Sequence, residues 1–155
     1  MDKILKFKEF NEAKEVKISQ SAGIAIIWDK KMLMIHPAKS PWFKSYGIPK
    51  GGIDPGESEE EAAIRECFEE VGIKISKKQL GERGEFFYDK NGKVNKRVVY
   101  FVVEIKELAE IGLISEIVPK SQLRLKEVDW AGFVGLEEAE KRCHPKQLDL
   151  LKYLE

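Results

Sequence analysis

The chain predicts an α/β fold, with a mixed β-sheet lying between helices. Three observations carry this. Short apolar runs stand both before and after one capped, highly charged helix at residues 58–72. An Asn91-Gly92 pair joins two of the later runs as a hairpin, and a leucine-rich helical pattern closes the chain. At 155 residues a single domain spanning 1–155 is expected, large enough for a substantial core.

The elements follow in order. Residues 1–15 are charged with scattered apolar positions (Ile4, Leu5, Phe7, Phe10) and fit either a short helix or an edge strand. Residues 16–28 form a strand whose buried part is Gly23-Ile24-Ala25-Ile26-Ile27, and Asp29-Lys30 turns the chain into a second strand at 32–36. Residues 37–50, PAKSPWFKSYGIPK, read as a loop punctuated by proline and serine. The helix starts at the capping box Ser58-x-x-Glu61 and stops at Gly72, a natural left-handed C′ residue. Ile64, Cys67, Phe68 and Val71 recur at helical spacing and define its expected buried face. Strands at 85–89 and 94–104 flank the Asn91-Gly92 turn, another lies near 127–133, and helices are expected at 136–142 and 145–154, the latter with Leu148, Leu151 and Leu154 on one stripe.

The charged helix carries the chemistry. At about 3.6 residues per turn, Glu66, Glu69 and Glu70 share one face, opposite the expected apolar stripe. Three carboxylates so close repel one another unless a cation lies among them, and an all-oxygen set suits a hard metal such as Mg²⁺ or Mn²⁺. Gly51-Gly52 and Pro55-Gly56 precede the helix and form a tight loop able to aim a backbone carbonyl at the same place. A glutamate-rich helix face is more often merely solvated, which is the reading for Glu59, Glu60 and Glu61. What separates the other three is the arrangement around them.

Residues 51–73, GGIDPGESEEEAAIRECFEEVGI, resemble the Nudix box, G-x5-E-x7-R-E-U-x-E-E-x-G-U with U apolar, and occupy every specified position. Cys67 and Ile73 take the apolar positions; cysteine is less usual there but behaves as a small hydrophobe. The resemblance implies an α/β/α sandwich and hydrolysis of a nucleoside diphosphate linked to another group X, with one or more divalent cations. It implies Glu66, Glu69 and Glu70 as metal ligands together with the Gly51 carbonyl. It implies a Glu57–Arg65 pair that orients the loop against the helix, and Glu69 as the helix glutamate that activates the attacking water. The expected catalytic residues are therefore Glu69, Arg65 and Glu57.

Substrate recognition must come from outside the box. Lys39, Lys44 and Lys50 are candidate phosphate contacts, Lys50 foremost and Lys39 least, although surface lysines are common. Trp42, Phe43 and Tyr46 either stack on a base or pin the loop. Phe86, Phe87 and Tyr88 alternate faces in a strand, so one or two belong to the core. Tyr88 lies sixteen residues past Gly72, where Nudix members acting on dinucleoside polyphosphates carry a tyrosine, and no proline of the ADP-ribose pyrophosphatase kind stands nearby. The Gly47-Ile48-Pro49-Lys50-Gly51 run is similar to the G-F-P-K-G of dinucleoside and diphosphoinositol polyphosphate hydrolases. A dinucleoside polyphosphate such as diadenosine tetraphosphate is the expected substrate. ADP-ribose, other nucleotide sugars, nucleoside triphosphates and capped RNA ends stay open. A non-catalytic nucleotide-binding module is the competing class, but such modules lose a helix carboxylate and this chain keeps all three. Glu127 is the favoured extra carboxylate over Glu116, with Asp129 a further candidate.

The remaining composition mainly excludes. Lys plus Arg and Asp plus Glu each total 27, so no global basic field argues for general nucleic-acid binding. Two cysteines, Cys67 and Cys143, give neither a disulfide framework nor zinc spacing, which makes a reducing, cytoplasmic setting the expectation. His36 and His144 lack partner spacing for zinc or for a nucleophile–base pair. No apolar run approaches the ~20 residues of a membrane span, and the N-terminus lacks a signal-peptide apolar region. Oligomeric state is not legible.

Overall fold

The computed structural model describes residues 18–155. The helix or edge strand expected in residues 1–15, and the first two residues of the strand expected at 16–28, lie outside the described residues. Strand β1 (Ser19–Trp28) turns through Asp29-Lys30 into β2 (Lys31–Pro37), and a short β3 (Lys50–Gly52) leads to helix α1 (Glu59–Val71). Then come β4 (Arg83–Lys90), β5 (Lys93–Glu104), β6 (Val128–Gly135), α2 (Leu136–Arg142) and a 3₁₀ segment over Pro145–Leu154.

The sheet runs β4-β5-β1-β2-β6, with β3 also paired to β1. β1 and β5 are parallel and the other pairings antiparallel, so the sheet is mixed, as expected. The period-2 alternation of β1 and β5 divides the core between the two faces. Ala22, Ile24, Ile26, Val99, Phe101 and Val103 pack with Ala62, Ala63, Cys67 and Val71 of α1. Ala25, Ile27, Val98, Tyr100 and Val102 face Ala139 and Cys143 beside α2, and Leu150, Leu151 and Leu154 of the 3₁₀ segment. Helices thus cover both faces, which is why the central strands read as continuous apolar runs.

Three local expectations change. The helix buries Ala63, Cys67 and Val71, but Phe68 is 55 % exposed and Ile64 only half-buried. Glu66 and Glu70 are each just 9 % exposed. The glutamates therefore do not lie opposite the buried stripe; two of them border it, because β3 packs along that flank of α1. The terminal segment is 3₁₀, and its buried residues are Gln147, Leu150, Leu151 and Leu154, while Leu148 is 41 % exposed. Strand β3 falls within what reads as loop, since a Pro-Lys-Gly-Gly run carries no strand propensity and only pairing with β1 makes it one.

Both ends of α1 fall where the sequence sets them, although of the expected Ser58–Glu61 capping box only the serine half forms. Ser58 accepts the Glu61 backbone N–H, and Gly72 closes the helix at φ 68° with its N–H on the Phe68 carbonyl. A Cβ at Gly72 would lie 2.8 Å from Gln122 Cβ. Gly72→Ala is expected to destabilise the fold by about 1 kcal/mol or more, from the left-handed conformation and this contact together. Urea denaturation against the native chain measures it.

Candidate functional site

Arg65 organises the front of α1. Its guanidinium meets Glu57 in a fork, Nε to Oε2 at 2.7 Å and Nη2 to Oε1 at 2.9 Å. Nη2 also donates to the Gly52 carbonyl at 2.8 Å, while Nη1 reaches Glu66 at 2.7 Å and Glu69 at 3.1 Å. The Arg65 hydrogen bond holds the Glu57 carboxyl down at about 2, well below the usual carboxylate range, and the same partners raise Arg65. The pairing of Glu57 with Arg65 and the tethering of loop to helix are thus present in the structure.

Behind Arg65 the backbone of β3 lies directly against the carboxylates. A Cβ at Gly51 would collide with the Glu66 carboxylate, so only glycine allows this approach. Lys50 N–H donates to Glu70 Oε1 at 2.9 Å. Burial pushes the Glu70 carboxyl up to about 7, against the Lys50 N–H and charge that lower it, with Glu66 and Glu127 adding repulsion. Glu69 is more open, held by Arg65 and, at 3.4 Å, by Arg124. Among the described residues no three Asp, Glu, His or Cys side chains converge closely enough to hold a metal ion. The convergence expected from helix spacing is not reached: Arg65 Nη1 holds Glu66 and Glu69, while Glu66 and Glu70 lie against β3.

A cavity of about 580 Å³ opens beside Glu70. Lys50, Glu70, Tyr88 and Glu127, all singled out in the sequence, line it together with Asn95, Lys96, His144 and Gln147. Lys44 is exposed and does not line it, nor does Lys39. Lys50 and Lys96 place their ammonium groups over the Tyr88 ring, 5.4 and 5.8 Å from its centroid. Burial, then the charge of Lys96, lowers the Lys50 ammonium to about 8. The charges of Glu70 and Glu66 oppose this shift. The Tyr88 ring meets Phe86 and His144 edge-on, so it is packed among neighbours rather than standing free as a stacking platform. Burial and the charges of Lys50 and Lys146 lower His144.

The loop aromatics divide. Tyr46 is core, 1 % exposed. Trp42 lies parallel on His36, centroids 3.7 Å apart, and pins the loop; Phe43 is exposed. His36 is itself buried, with Nδ1 2.5 Å from Asp129 and Nε2 against the carbonyls of Ser40 and Pro41. Asp129 is therefore part of a loop anchor, and Glu116 is paired with Lys31.

Lys96, His144 and Gln147 were missed by sequence reasoning. A strict two-residue hairpin would set Tyr88 opposite Asn95. A β-bulge between Tyr88 and Asp89 shifts the pairing to Tyr88–Lys96, and a bulge has no simple sequence signal. His144 and Gln147 reach the cavity only through tertiary packing.

This fold and site belong to a family. The NUDIX domain family matches residues 18–153, and the chain is a member of the Nudix family. It is 40 % identical over 94 residues to the bis(5′-nucleosyl)-tetraphosphatase [asymmetrical] of Mus musculus, covering 59 % of this chain and 56 % of that protein. A shorter match, 53 % identical over 38 residues, is to an RNA pyrophosphohydrolase of Pectobacterium carotovorum, covering 21 % of this chain and 22 % of that protein. These alignments span little more than half of the curated relatives' length at most. Among solved structures, a C. elegans Ap4A hydrolase binary complex superposes with a TM-score of 0.64 at 26 % identity, covering 87 % of this chain and 93 % of that one. Among the described residues no helix is long and apolar enough to cross a membrane.

The raised Glu70 carboxyl has a thermodynamic consequence. A folded-state value near 7 against an ordinary glutamate value of about 4.3 means the folded chain binds the extra proton between them. Its contribution to stability therefore declines as pH rises through that window, and the full penalty stands above 7. In chelator, Glu70→Gln is expected to melt higher than the native chain at pH 8, with the gain gone near pH 4. Thermal denaturation across pH measures this difference; a gain independent of pH would refute the assignment.

Proposed function

We propose that the chain is a divalent-cation-dependent pyrophosphohydrolase whose substrate is a dinucleoside polyphosphate such as diadenosine tetraphosphate. One observation carries this reading: a single cavity is lined by a buried carboxylate, Glu70, together with the Lys50–Lys96 pair and Tyr88. Family membership supports the divalent-metal chemistry. The relatives named for tetraphosphate and Ap4A support the substrate class.

The oxygen-only donor chemistry suits a hard cation, for which the three carboxylates, standing apart as described, would have to turn together. Glu66, Glu69 and Glu70 with the Gly51 carbonyl would hold Mg²⁺ or Mn²⁺ through oxygen alone, and Gly51 leaves no Cβ in the way. A cation bound there would neutralise phosphate charge and make a bound water more acidic. Glu69, the most solvent-accessible of the three, takes the role of accepting the water's proton. Glu127, at the cavity edge, is the additional carboxylate. Arg65 and Glu57 hold loop and helix in register. Lys50 and Lys96 receive the polyphosphate oxygens, and their mutual repulsion favours the bound anion. No nucleophilic side chain is needed, and Cys67, fully buried with its thiol pushed up by burial, is inert.

Three outcomes test this. Glu69→Gln and Glu70→Gln should each lower turnover by roughly 10²-fold or more in saturating Mg²⁺, and Mg²⁺ should raise the melting temperature of the native chain more than that of Glu70→Gln. Arg65→Lys should lower turnover with little change in KM, because lysine cannot reproduce the fork to Glu57; a loss confined to KM would make Arg65 a substrate contact. In a panel of diadenosine tetraphosphate, ADP-ribose, ATP and 5′-triphosphorylated RNA, kcat/KM should be highest for the first. Equal or higher kcat/KM on ADP-ribose would overturn the substrate class and leave the hydrolytic chemistry standing.

A further inference from the structure

Gln147 is 2 % exposed, yet it is a polar side chain on the wall of the cavity. Both ends of its amide are engaged. Oε1 accepts the Ile48 backbone N–H at 2.9 Å, and Nε2 stands 2.7 Å from the Tyr88 hydroxyl. Room for it comes from Gly47, where any Cβ would collide with the amide.

The direction of these bonds is determined. A backbone N–H only donates, so the amide oxygen must face Ile48 and the NH₂ must face Tyr88. The Tyr88 oxygen is therefore an acceptor of the Gln147 hydrogen bond, and its own proton is left over. Among the described residues the hydroxyl has no other hydrogen-bond partner. Tyr88, Lys50 and Lys96 line the same cavity, with the two ammonium groups 5.4 and 5.8 Å from the centre of the tyrosine ring.

We propose that Gln147 is a positioning residue for substrate: it fixes the polarity of the Tyr88 hydroxyl, so that Tyr88 donates a hydrogen bond to a phosphoryl oxygen held between Lys50 and Lys96. Tyr88 then recognises the polyphosphate through its hydroxyl rather than a base through its ring face. The same amide accepts the N–H of Ile48, two residues ahead of Lys50, so one side chain contacts both the tyrosine and the segment leading to the lysine. This rests on the reading of the cavity as a polyphosphate site.

The test is a double-mutant cycle in Mg²⁺, run on whichever of diadenosine tetraphosphate, ADP-ribose and ATP the native enzyme turns over fastest. Preference for ADP-ribose would sink the substrate class, while the cycle still decides the role of Gln147. Gln147→Met and Tyr88→Phe should each raise KM on the order of 5- to 10-fold, the scale of one hydrogen bond, with kcat changed much less. The combined variant should be no worse than either single one. Effects on KM that multiply, or an unchanged KM in Gln147→Met, would overturn the proposal. If Gln147→Met fails to fold for want of an Ile48 acceptor, Gln147→Glu replaces it: the carboxylate still accepts from Ile48 but makes the Tyr88 hydroxyl turn round and donate to it. The rise in KM caused by Gln147→Glu should then be several-fold smaller in the Tyr88→Phe background. An equal rise in both backgrounds would show repulsion of the substrate alone and overturn the proposal.

Discussion

Burial of the Glu66 and Glu70 carboxylates against the backbone of β3 is the constraint around which the rest of the site is arranged. A buried carboxylate is costly unless something compensates it. Here Arg65 takes one oxygen of Glu66 at 2.7 Å, and the Lys50 N–H takes one of Glu70 at 2.9 Å. For Glu70 the compensation is incomplete, because burial still holds its carboxyl well above the ordinary range.

That constraint explains features that otherwise look unrelated. Gly51 must lack a side chain because the Glu66 carboxylate occupies the place of its Cβ. Arg65 must be arginine because it serves Glu57, Gly52, Glu66 and Glu69 from one planar fork. β3 must be a strand because its pairing with β1 presses it onto α1. Lys50, at the start of that strand, uses its N–H on the carboxylate side and its ammonium group on the cavity side. Acidic and basic groups are thereby brought within one residue of each other on the lining of one cavity.

Much of this was legible in the residues. The limits of α1 follow from Ser58 and Gly72, and the hairpin turn from Asn91-Gly92, because capping and turn chemistry act over a few residues. The Glu57–Arg65 pair forms as expected, outside the cavity lining. Lys50 and Glu127 line the cavity, whereas Lys39, Lys44 and Glu116 do not. The helix face was read less well. Phe68 has the correct spacing for a buried stripe but is exposed, since an amphipathic pattern states that one flank is covered and not how wide the cover is. Likewise Trp42 and Tyr46 resemble a stacking surface in sequence, while one pins a loop and the other fills the core.

By itself, then, the sequence determined the α/β class, the caps and turn, the family-defining box and the acid-rich helix, all consequences of local periodicity and short-range hydrogen bonding. Tertiary structure decided which of those groups meet. It set the extra residue of the β5 bulge that brings Lys96 opposite Tyr88, the packing of the 3₁₀ segment and its N-cap that delivers Gln147 and His144, and the division of Glu66, Glu69 and Glu70 between Arg65 and β3. Each depends on contacts between residues far apart in the chain, whose geometry is the outcome of packing the whole sheet and leaves no periodic trace along the sequence.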